Sequence, residues 1–181
     1  DSHQKGTLYM VLPFNYHPEL RTSLCMKLMR DLLQERVIDI LREKLHIVYS
    51  PYVDLFYDGY PQQRAYLQLT IDADKNNLEK VEQTLCNIVT QFQDTAVSTA
   101  NLEKMKRSFL VAKQQALSND TPVEWKNALT SLIKNDESIA DFNHYESILQ
   151  QITAQEIQQK FKHYIKLNKR IVLIKTDETK K

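Results

Sequence analysis

Residues 41–50 read LREKLHIVYS, and this stretch contains the transition from a long helix to a β-strand. Leucines recur every four residues before it, which indicates an amphipathic helix, and apolar residues alternate after it, which indicates a strand. The junction places Arg42 and Tyr49 on its two sides. A guanidinium supplies a permanent charge and a phenol supplies a hydroxyl donor, so both side chains can stabilise one carbonyl oxygen or oxyanion.

Composition restricts the classes of protein to which this chain can belong. The 181 residues contain 24 Lys and Arg against 23 Asp and Glu, a net charge of +1, which gives no reason to expect nucleic acid or an acidic membrane as a partner. No apolar stretch has the length needed to cross a bilayer. The two glycines exclude a Gly-rich phosphate-binding loop and favour a high helix content. Since the chain begins at Asp1 without Met, we expect a fragment of a longer protein.

The first half predicts a strand followed by one long helix. Residues 7–13 are nearly all apolar and predict a strand that is buried on both faces. The leucine spacing predicts a helix over residues 19–45, with a kink or break near Gln34. Leu41 and Leu45 continue the apolar stripe of this helix to its end.

Two runs of alternating apolar residues, 47–57 and 66–72, predict a β-hairpin. Pro51 interrupts the first run, which favours an edge or bulged strand. Four tyrosines of this region either form an aromatic patch for a peptide or pack across strands, and cross-strand packing is the more ordinary alternative for Tyr52, Tyr57, Tyr60 and Tyr66.

The second half predicts several helices and one closing strand. Asn76 is a candidate N-cap, while Thr121 and Thr153 each begin a capping box. Further helical patterns begin near Leu102 and Ile139, and residues 171–175 predict the last strand. Because strands and helices are segregated along the chain, we predict the α+β class, with a mostly antiparallel sheet and helices packed on one face.

We interpret the chain as one domain, residues 1–181, with three parts: residues 1–75 hold the strand, long helix and hairpin, residues 76–168 the helical part, and residues 169–176 the closing strand. Cys25 and Cys86 lie in helical patterns and are interpreted as small buried residues, with a disulfide between them left open.

The stretch at 41–50 resembles the LRE-K-x-x-x-x-Y-S segment of a non-catalytic repeat in the pitrilysin/insulinase family of zinc metallopeptidases. That family includes mitochondrial processing peptidase and core subunits of a respiratory complex. The second hairpin strand, the helix start at 101–106, and the last helix and strand at 153–157 and 171–173 are similar to the family as a pattern. The resemblance implies the fold of mitochondrial processing peptidase and LuxS-like metallohydrolase domains.

Family members carry zinc on one repeat through an inverted His-x-x-Glu-His helix and a distant Glu. This chain departs from that pattern, because the motif is completed by none of its five histidines, which are His3, His17, His46, His144 and His163. We therefore expect neither a metal ligand nor a catalytic residue here. The resemblance implies that Zn²⁺ is bound in a separate catalytic half, and that this chain alone binds no zinc and is inactive.

By this resemblance, Arg42 and Tyr49 would bind the substrate backbone and stabilise the tetrahedral intermediate opposite the zinc-bearing half. The residues by themselves leave alternatives open. Arg42 can be a surface arginine at a helix C-terminus, where the helix dipole favours it. Tyr49 can be a core residue that shares a face with Val53, and His46 is interpreted as a surface residue.

Our preferred hypothesis is a substrate-binding, C-terminal-type domain of a zinc endopeptidase. Its partners would be a zinc-bearing N-terminal half or subunit and a peptide substrate, without nucleic acid; a homodimer is a further partner that the resemblance allows. Family habit suggests the bacterial periplasm or cell envelope. The alternatives are an inactive homologue that acts as a structural or assembly subunit, and an unrelated α+β protein-interaction domain.

Overall fold

The computed structural model describes residues 5–15, 19–58, 64–118, 121–134 and 139–176. The strands are β1 (Lys5–Phe14), β2 (Val48–Asp58), β3 (Arg64–Asp74) and β4 (Ile171–Thr176). The α-helices are α1 (Leu20–Val37), α2 (Leu78–Asp94), α3 (Thr99–Ser118), α4 (Pro122–Lys134), α5 (Ile139–Gln151) and α6 (Ala154–Tyr164). A π-helical segment, Ile38–Lys44, extends α1, and short 3₁₀ turns cover Lys75–Asn77 and Leu167–Lys169. No helix of the described ranges is both long and apolar enough to cross a membrane.

The four described strands form one antiparallel sheet in the order β2-β3-β1-β4. Helices α1 and α2 pack on one face, which confirms the predicted α+β architecture. We call the other side of the sheet the open face. It carries Tyr9, Tyr52, Tyr66 and Leu173, whereas the residues between them in each strand point towards the helices.

Strand β1 corrects one prediction. Its residues alternate between buried and half-buried, with Leu8, Met10 and Leu12 under the helices and Tyr9 and Val11 on the open face. Only one face is therefore fully buried. The side chains on the open face are shielded in part by β3 and β4, and none of the helices that the structure describes covers them.

Helix α1 is buried on nearly all sides, since the sheet lies on one side and α3, α5 and α6 lie around the rest. Apolar residues along its whole length have 4% exposure or less: Leu24, Cys25, Met26, Leu28, Met29, Leu32, Leu33 and Val37. The α-helix runs without a break through Gln34, near which a kink or break was predicted. The helix changes to π geometry at Ile38, four residues later, so the leucine stripe ends at buried Leu41 while Leu45 is exposed.

Strand β2 is an edge strand with a bulge between Val48 and Ser50, as Pro51 predicted. The side-chain amide of Gln34 reaches this edge from α1. It donates to Pro51 O at 2.9 Å, and its Oε1 accepts a hydrogen bond from Val53 N at 2.6 Å. The amide thus pairs with β2 much as a neighbouring strand would.

Two predicted caps have different outcomes. Thr153 Oγ1 accepts a hydrogen bond from Glu156 N at 3.1 Å and caps α6, as predicted. Asn76 is not the cap of α2. Instead Asp74 Oδ1 accepts from Asn76 N at 2.9 Å, and a 3₁₀ turn precedes the helix. The short Asp side chain is as suitable as Asn for this role.

Glu156 joins α6 to α1. Arg21 donates to its two carboxylate oxygens, from Nε at 2.8 Å and from Nη2 at 2.7 Å, and these bonds hold the pKa of Glu156 below its usual range. Cys25 lies beside it, with Sγ 3.7 Å from Oε1. Burial, reinforced by this carboxylate, raises the pKa of the Cys25 thiol to about 12. Cys25 is buried and Cys86 half-buried, and both are free thiols.

We predict that Gln34→Ala lowers the free energy of unfolding by about 1–2 kcal/mol, because it leaves Val53 N–H and Pro51 C=O without partners at a partly buried edge. Urea denaturation measures this difference. Gln83→Ala, at an exposed position of α2, is the matched control and should change stability by less than about 0.5 kcal/mol. Equal effects of the two variants would contradict the role of Gln34.

We predict that Glu156→Gln destabilises the protein at neutral pH by about 1 kcal/mol, a partly exposed ion pair being weakened by solvent. Since the native pKa of Glu156 is depressed, its stabilisation is fully present above the unfolded pKa of about 4.3 and is lost as the pH falls through the lower native pKa. Thermal unfolding of both proteins between neutral and strongly acidic pH should therefore show their difference vanishing in acid. A difference that persists there would refute the assignment.

Candidate functional site

The junction at 41–50 begins with the π-helical segment, whose last residues leave the core. Leu41 is fully buried and Arg42 is the first exposed residue after it, with 58% of its side chain accessible. Leu45 N donates to Ile40 O at 3.0 Å and Ile47 N to Leu41 O at 3.2 Å, which closes the wide helix end. Such π segments are rare and occur frequently at functional sites.

His46 makes the turn from helix to strand. Its φ of 51° lies in the left-handed region, which is uncommon for a residue other than glycine. This conformation turns the chain between the end of the helix and β2, and Ile47 after it packs against the core. His46 is exposed, as predicted for a surface residue.

The bulge of β2 determines where Tyr49 points. Val48 pairs with Ala73 and Ser50 pairs with Asp72, so Tyr49 is the extra residue between two adjacent partners. In a regular strand Tyr49 would share the helix-covered face with Pro51 and Val53, which was the core alternative. The bulge releases it from that face, and 56% of the residue is exposed. Tyr49 is therefore not a core tyrosine.

Tyr49 lies between two shallow cavities at the end of the sheet. One, of about 410 Å³, is also lined by Lys5, Thr7, Asp72 and Lys175. The other, of about 200 Å³, extends towards His46 and Asp74. The ammonium of Lys5 lies 5.6 Å from the centre of the Tyr49 ring, within the range of a cation–π contact. Thr7 Oγ1 donates to Asp72 Oδ1 at 2.7 Å, so this carboxylate is already engaged.

Arg42 and Tyr49 are both accessible but contact different residues. The guanidinium Nε of Arg42 is 3.5 Å from Glu43 Oε1, and Arg42 lines neither cavity beside Tyr49. An ion pair between two side chains this exposed contributes little and leaves the guanidinium available. Their joint action on one substrate remains a prediction.

The predicted tyrosine patch is only partly formed. Tyr52 is exposed on the open face, and Tyr66 stacks on Phe56 there with ring centroids 4.7 Å apart. Tyr57 instead packs against the core under the helices. Tyr60 lies outside the described residues, as do His3 and His17.

A further cavity of about 560 Å³ lies between α1, the end of α2 and the start of α3. Its floor is apolar, with Leu32, Ile88 and Phe92. The charges at its rim are paired with each other, for example Lys104 Nζ with Glu35 Oε1 at 2.9 Å. Lys104 and Glu35 therefore neutralise each other at the rim of this cavity.

Sequence patterns missed three residues that matter locally. Gln34 is one polar residue in a helix and carries no sign of its contact with β2. Lys5 lies far from Tyr49 in sequence. Lys106 is buried, and its Nζ donates to Glu103 Oε1 at 2.8 Å and to Gln150 O at 2.9 Å, which ties α3 to the end of α5. The one signal in the sequence for the burial of Lys106 is its position in α3, four residues after the buried Leu102.

The family model described as the peptidase M16 inactive domain matches residues 2–109. No curated protein sequence matches the chain significantly.

Solved structures with the same fold include the following three. The periplasmic protease PqqL from Escherichia coli has a TM-score of 0.81 at 14% identity. The match includes 98% of this chain and 20% of the PqqL chain. A peptidase M16 inactive domain from Pseudomonas fluorescens has a TM-score of 0.78 at 12% identity over 94% of this chain and 40% of its own. A variant of the ferredoxin protease FusC in complex with Arabidopsis ferredoxin has a TM-score of 0.72 at 10% identity, over 94% of this chain and 18% of its own. The chain thus spans well under half the length of these proteins.

We predict that His46→Val destabilises the protein by about 1 kcal/mol or more, since a β-branched residue fits the left-handed region poorly, whereas His46→Gly should be neutral or stabilising. Urea denaturation checks both variants. His144→Val, at an exposed helical position, is the control and should stay within about 0.5 kcal/mol of the parent protein. A His46→Gly variant less stable than His46→Val would contradict the observed turn.

Proposed function

The chain belongs to the family of peptidase M16 inactive domains, and from this premise we propose that it is the substrate-binding domain of a zinc endopeptidase. In this proposal it closes over a zinc-bearing half that lies outside the sequence. Arg42 and Tyr49 contact the peptide backbone at the cleaved bond. The chain by itself cleaves nothing.

The proposed chemistry uses two groups of this chain. Hydrolysis of a peptide bond places negative charge on the carbonyl oxygen in the transition state. The guanidinium of Arg42 supplies a positive charge, and the phenol of Tyr49 supplies a neutral hydrogen-bond donor. Donors held in place before the reaction stabilise such an oxyanion because they need no reorganisation.

The exposure of Tyr49 is the observation that best supports this proposal. A tyrosine in a strand with apolar neighbours is ordinarily buried with them, and here the bulge turns it outwards at the end of the open face. The π-helical end exposes Arg42 on the other side of the same junction. Both side chains are thus accessible to a second body of protein or a peptide.

The described residues do not fit a zinc site. Zinc needs three or four ligands from His, Cys, Asp or Glu, and no group of three such side chains lies close enough together in the described ranges. In this proposal the zinc ion of the endopeptidase is bound by the other half.

Partners and location follow from the proposal. The chain spans 20% of the periplasmic protease PqqL and 18% of FusC, which was solved with a protein, ferredoxin. We accordingly propose a larger protease as the context of this chain, with a polypeptide substrate, in the bacterial periplasm or cell envelope.

A role as an assembly subunit is the second candidate. The apolar side chains of the open face favour it, since Tyr52, Phe56 and Leu173 are each exposed by 40% or more. Exposed apolar patches of this kind mark interaction surfaces. In this case Arg42 and Tyr49 would be dispensable for any reaction.

We predict that Arg42→Ala and Tyr49→Phe each lower kcat/KM of peptide cleavage by about 10²-fold to 10³-fold when the chain is combined with its zinc-bearing half, the usual loss of one oxyanion donor. Steady-state kinetics on a fluorogenic peptide measures this effect. Arg107→Ala and Tyr52→Phe, two other exposed positions, are matched controls and should retain the parent activity. Unchanged turnover in both Arg42→Ala and Tyr49→Phe would refute the assigned roles and favour the assembly subunit.

A further inference from the structure

The open face of the sheet carries a row of polar residues at the end where Tyr49 lies. The row crosses the four described strands and takes one residue from each of them: Ser50, Asp72, Thr7 and Lys175. The neighbouring row towards the middle of the sheet has no charged residue and consists of Tyr52, Thr70, Tyr9 and Leu173. The ammonium of Lys175 therefore borders a largely apolar surface on one side and polar groups on the other.

Lys5 brings a second ammonium group to this end of the open face. It lies two residues before Thr7 in β1 and shares its face, while Lys175 lies directly opposite Thr7 in β4. Lys5 and Lys175 are thus diagonal neighbours on adjacent antiparallel strands. Residues in this relation are about 7–8 Å apart, which long side chains can bridge. The two ammonium groups can therefore contact one anion that lies between them.

Both lysines line the cavity of about 410 Å³ beside Tyr49. Lys5 Nζ lies 5.6 Å from the centre of the Tyr49 ring, and both lysines are exposed. Neither ammonium group has a carboxylate within 4 Å among the residues that the structure describes. Because two like charges at one cavity repel each other, an anion between them would be stabilised by both.

The charges of the cavity favour one carboxylate as the ligand. Of the described residues that line it, Asp72 is the one that carries a carboxylate, and its Oδ1 accepts a hydrogen bond from Thr7 Oγ1 at 2.7 Å. Two ammonium groups against one carboxylate leave an excess of one positive charge. A cation is therefore repelled, whereas a single added carboxylate makes the cavity neutral. The hydroxyl of Ser50 in the same wall is a further hydrogen-bond donor.

The position of the cavity relates this carboxylate to the proposed substrate. Tyr49 forms part of the cavity wall and is also the residue that we propose to contact the peptide at the cleaved bond. Consecutive residues of an extended peptide are about 3.3–3.6 Å apart along the chain. A residue one or two positions from the cleaved bond therefore lies about 3–7 Å from it, close enough for its side chain to enter the cavity.

We infer that Lys5 and Lys175 bind the side-chain carboxylate of an Asp or Glu one or two positions from the cleaved bond, and so make the proposed endopeptidase selective for acidic sequences. The inference rests on the proposed function, because it takes Tyr49 to lie at the cleaved bond. The two lysines determine specificity and take no part in breaking the bond. Since both are exposed, we expect a preference of about fivefold to tenfold that weakens with salt.

The first test titrates the full, isotope-labelled chain with short peptides and follows its amides by NMR at low ionic strength. The probes are Ala-Ala-Glu-Ala-Ala, blocked at both ends, and the same peptide with Gln or Lys at the centre. We expect the Glu peptide to bind about fivefold more tightly than the Gln peptide, with the Lys peptide weakest, and to shift the amides of Thr7, Tyr49 and Lys175. Equal affinities of the Glu and Gln peptides, or no binding of the Glu peptide at millimolar concentration, would overturn the inference.

A fourth peptide distinguishes the source of the carboxylate. It has Gln at the centre and a free C-terminal carboxylate. Binding of this peptide as tightly as the blocked Glu peptide would assign the cavity to a chain end and would overturn the selectivity for acidic side chains.

The second test uses protein variants and compares the ratio of the Glu and Gln affinities, which a general loss of folding does not change. Lys5→Met and Lys175→Met should each reduce this ratio, and Lys175→Glu should reverse the preference in favour of the Lys peptide. Lys175→Arg retains the positive charge and should retain the preference. Lys80→Met, at an exposed position of α2, is the matched control and should leave the ratio unchanged. A parent-like ratio in both Lys5→Met and Lys175→Met would overturn the inference.

Turnover with the zinc-bearing half separates this inference from the proposed function. On fluorogenic peptides with Glu or Gln beside the cleaved bond, Lys175→Met should lower the Glu-to-Gln ratio of kcat/KM about fivefold, whereas Tyr49→Phe should slow both peptides alike. If Tyr49→Phe slows cleavage but Lys175→Met leaves the ratio unchanged, only this inference fails. If the lysines bind the Glu peptide but Arg42→Ala and Tyr49→Phe both cleave normally, the proposed function fails and the carboxylate site stands.

Discussion

Burial of α1 on nearly all sides is the constraint on which the rest of the structure depends. A helix with apolar residues around its whole circumference cannot lie on a surface, so it requires the sheet on one side and a second layer of helices on the other. Each fully buried Leu or Met contributes about 1.5–3 kcal/mol relative to exposure, and α1 contains several. The pair of Arg21 with Glu156 then orients α6 against α1, and the Gln34 amide orients the edge strand β2.

Three departures from regular geometry follow one another where α1 leaves the core. The π-helical segment ends the buried stripe at Leu41, the left-handed His46 turns the chain, and the bulge releases Tyr49 from the buried face. Each is less favourable than the regular alternative, and such outliers persist where the surrounding structure holds them in place. Here the buried residues on both sides, Leu41 and Val53, are fixed by packing. The exposed residues between them carry the candidate chemistry.

The sheet is asymmetric in both its faces and its edges. One face is covered by helices, and the other leaves Tyr52 and Leu173 accessible. One edge is closed by Gln34, and at the other edge no strand of the described residues pairs with the outer side of β4, which has basic residues at both ends. The accessible face, the open edge and Tyr49 meet at the cavity that Lys175 lines.

The sequence by itself determined the α+β class, the long helix, the edge position of the Pro51 strand and the cap at Thr153, because these depend on periodicity and on neighbours within one turn. It did not determine that β1 has one open face, that α1 continues in π geometry, or that Gln34 closes the β2 edge. Those features depend on which distant residues pack against each element. The exposure of Tyr49 was likewise decided by the register of β2 on β3, since one extra residue in a strand reverses the face on which the residues before it lie.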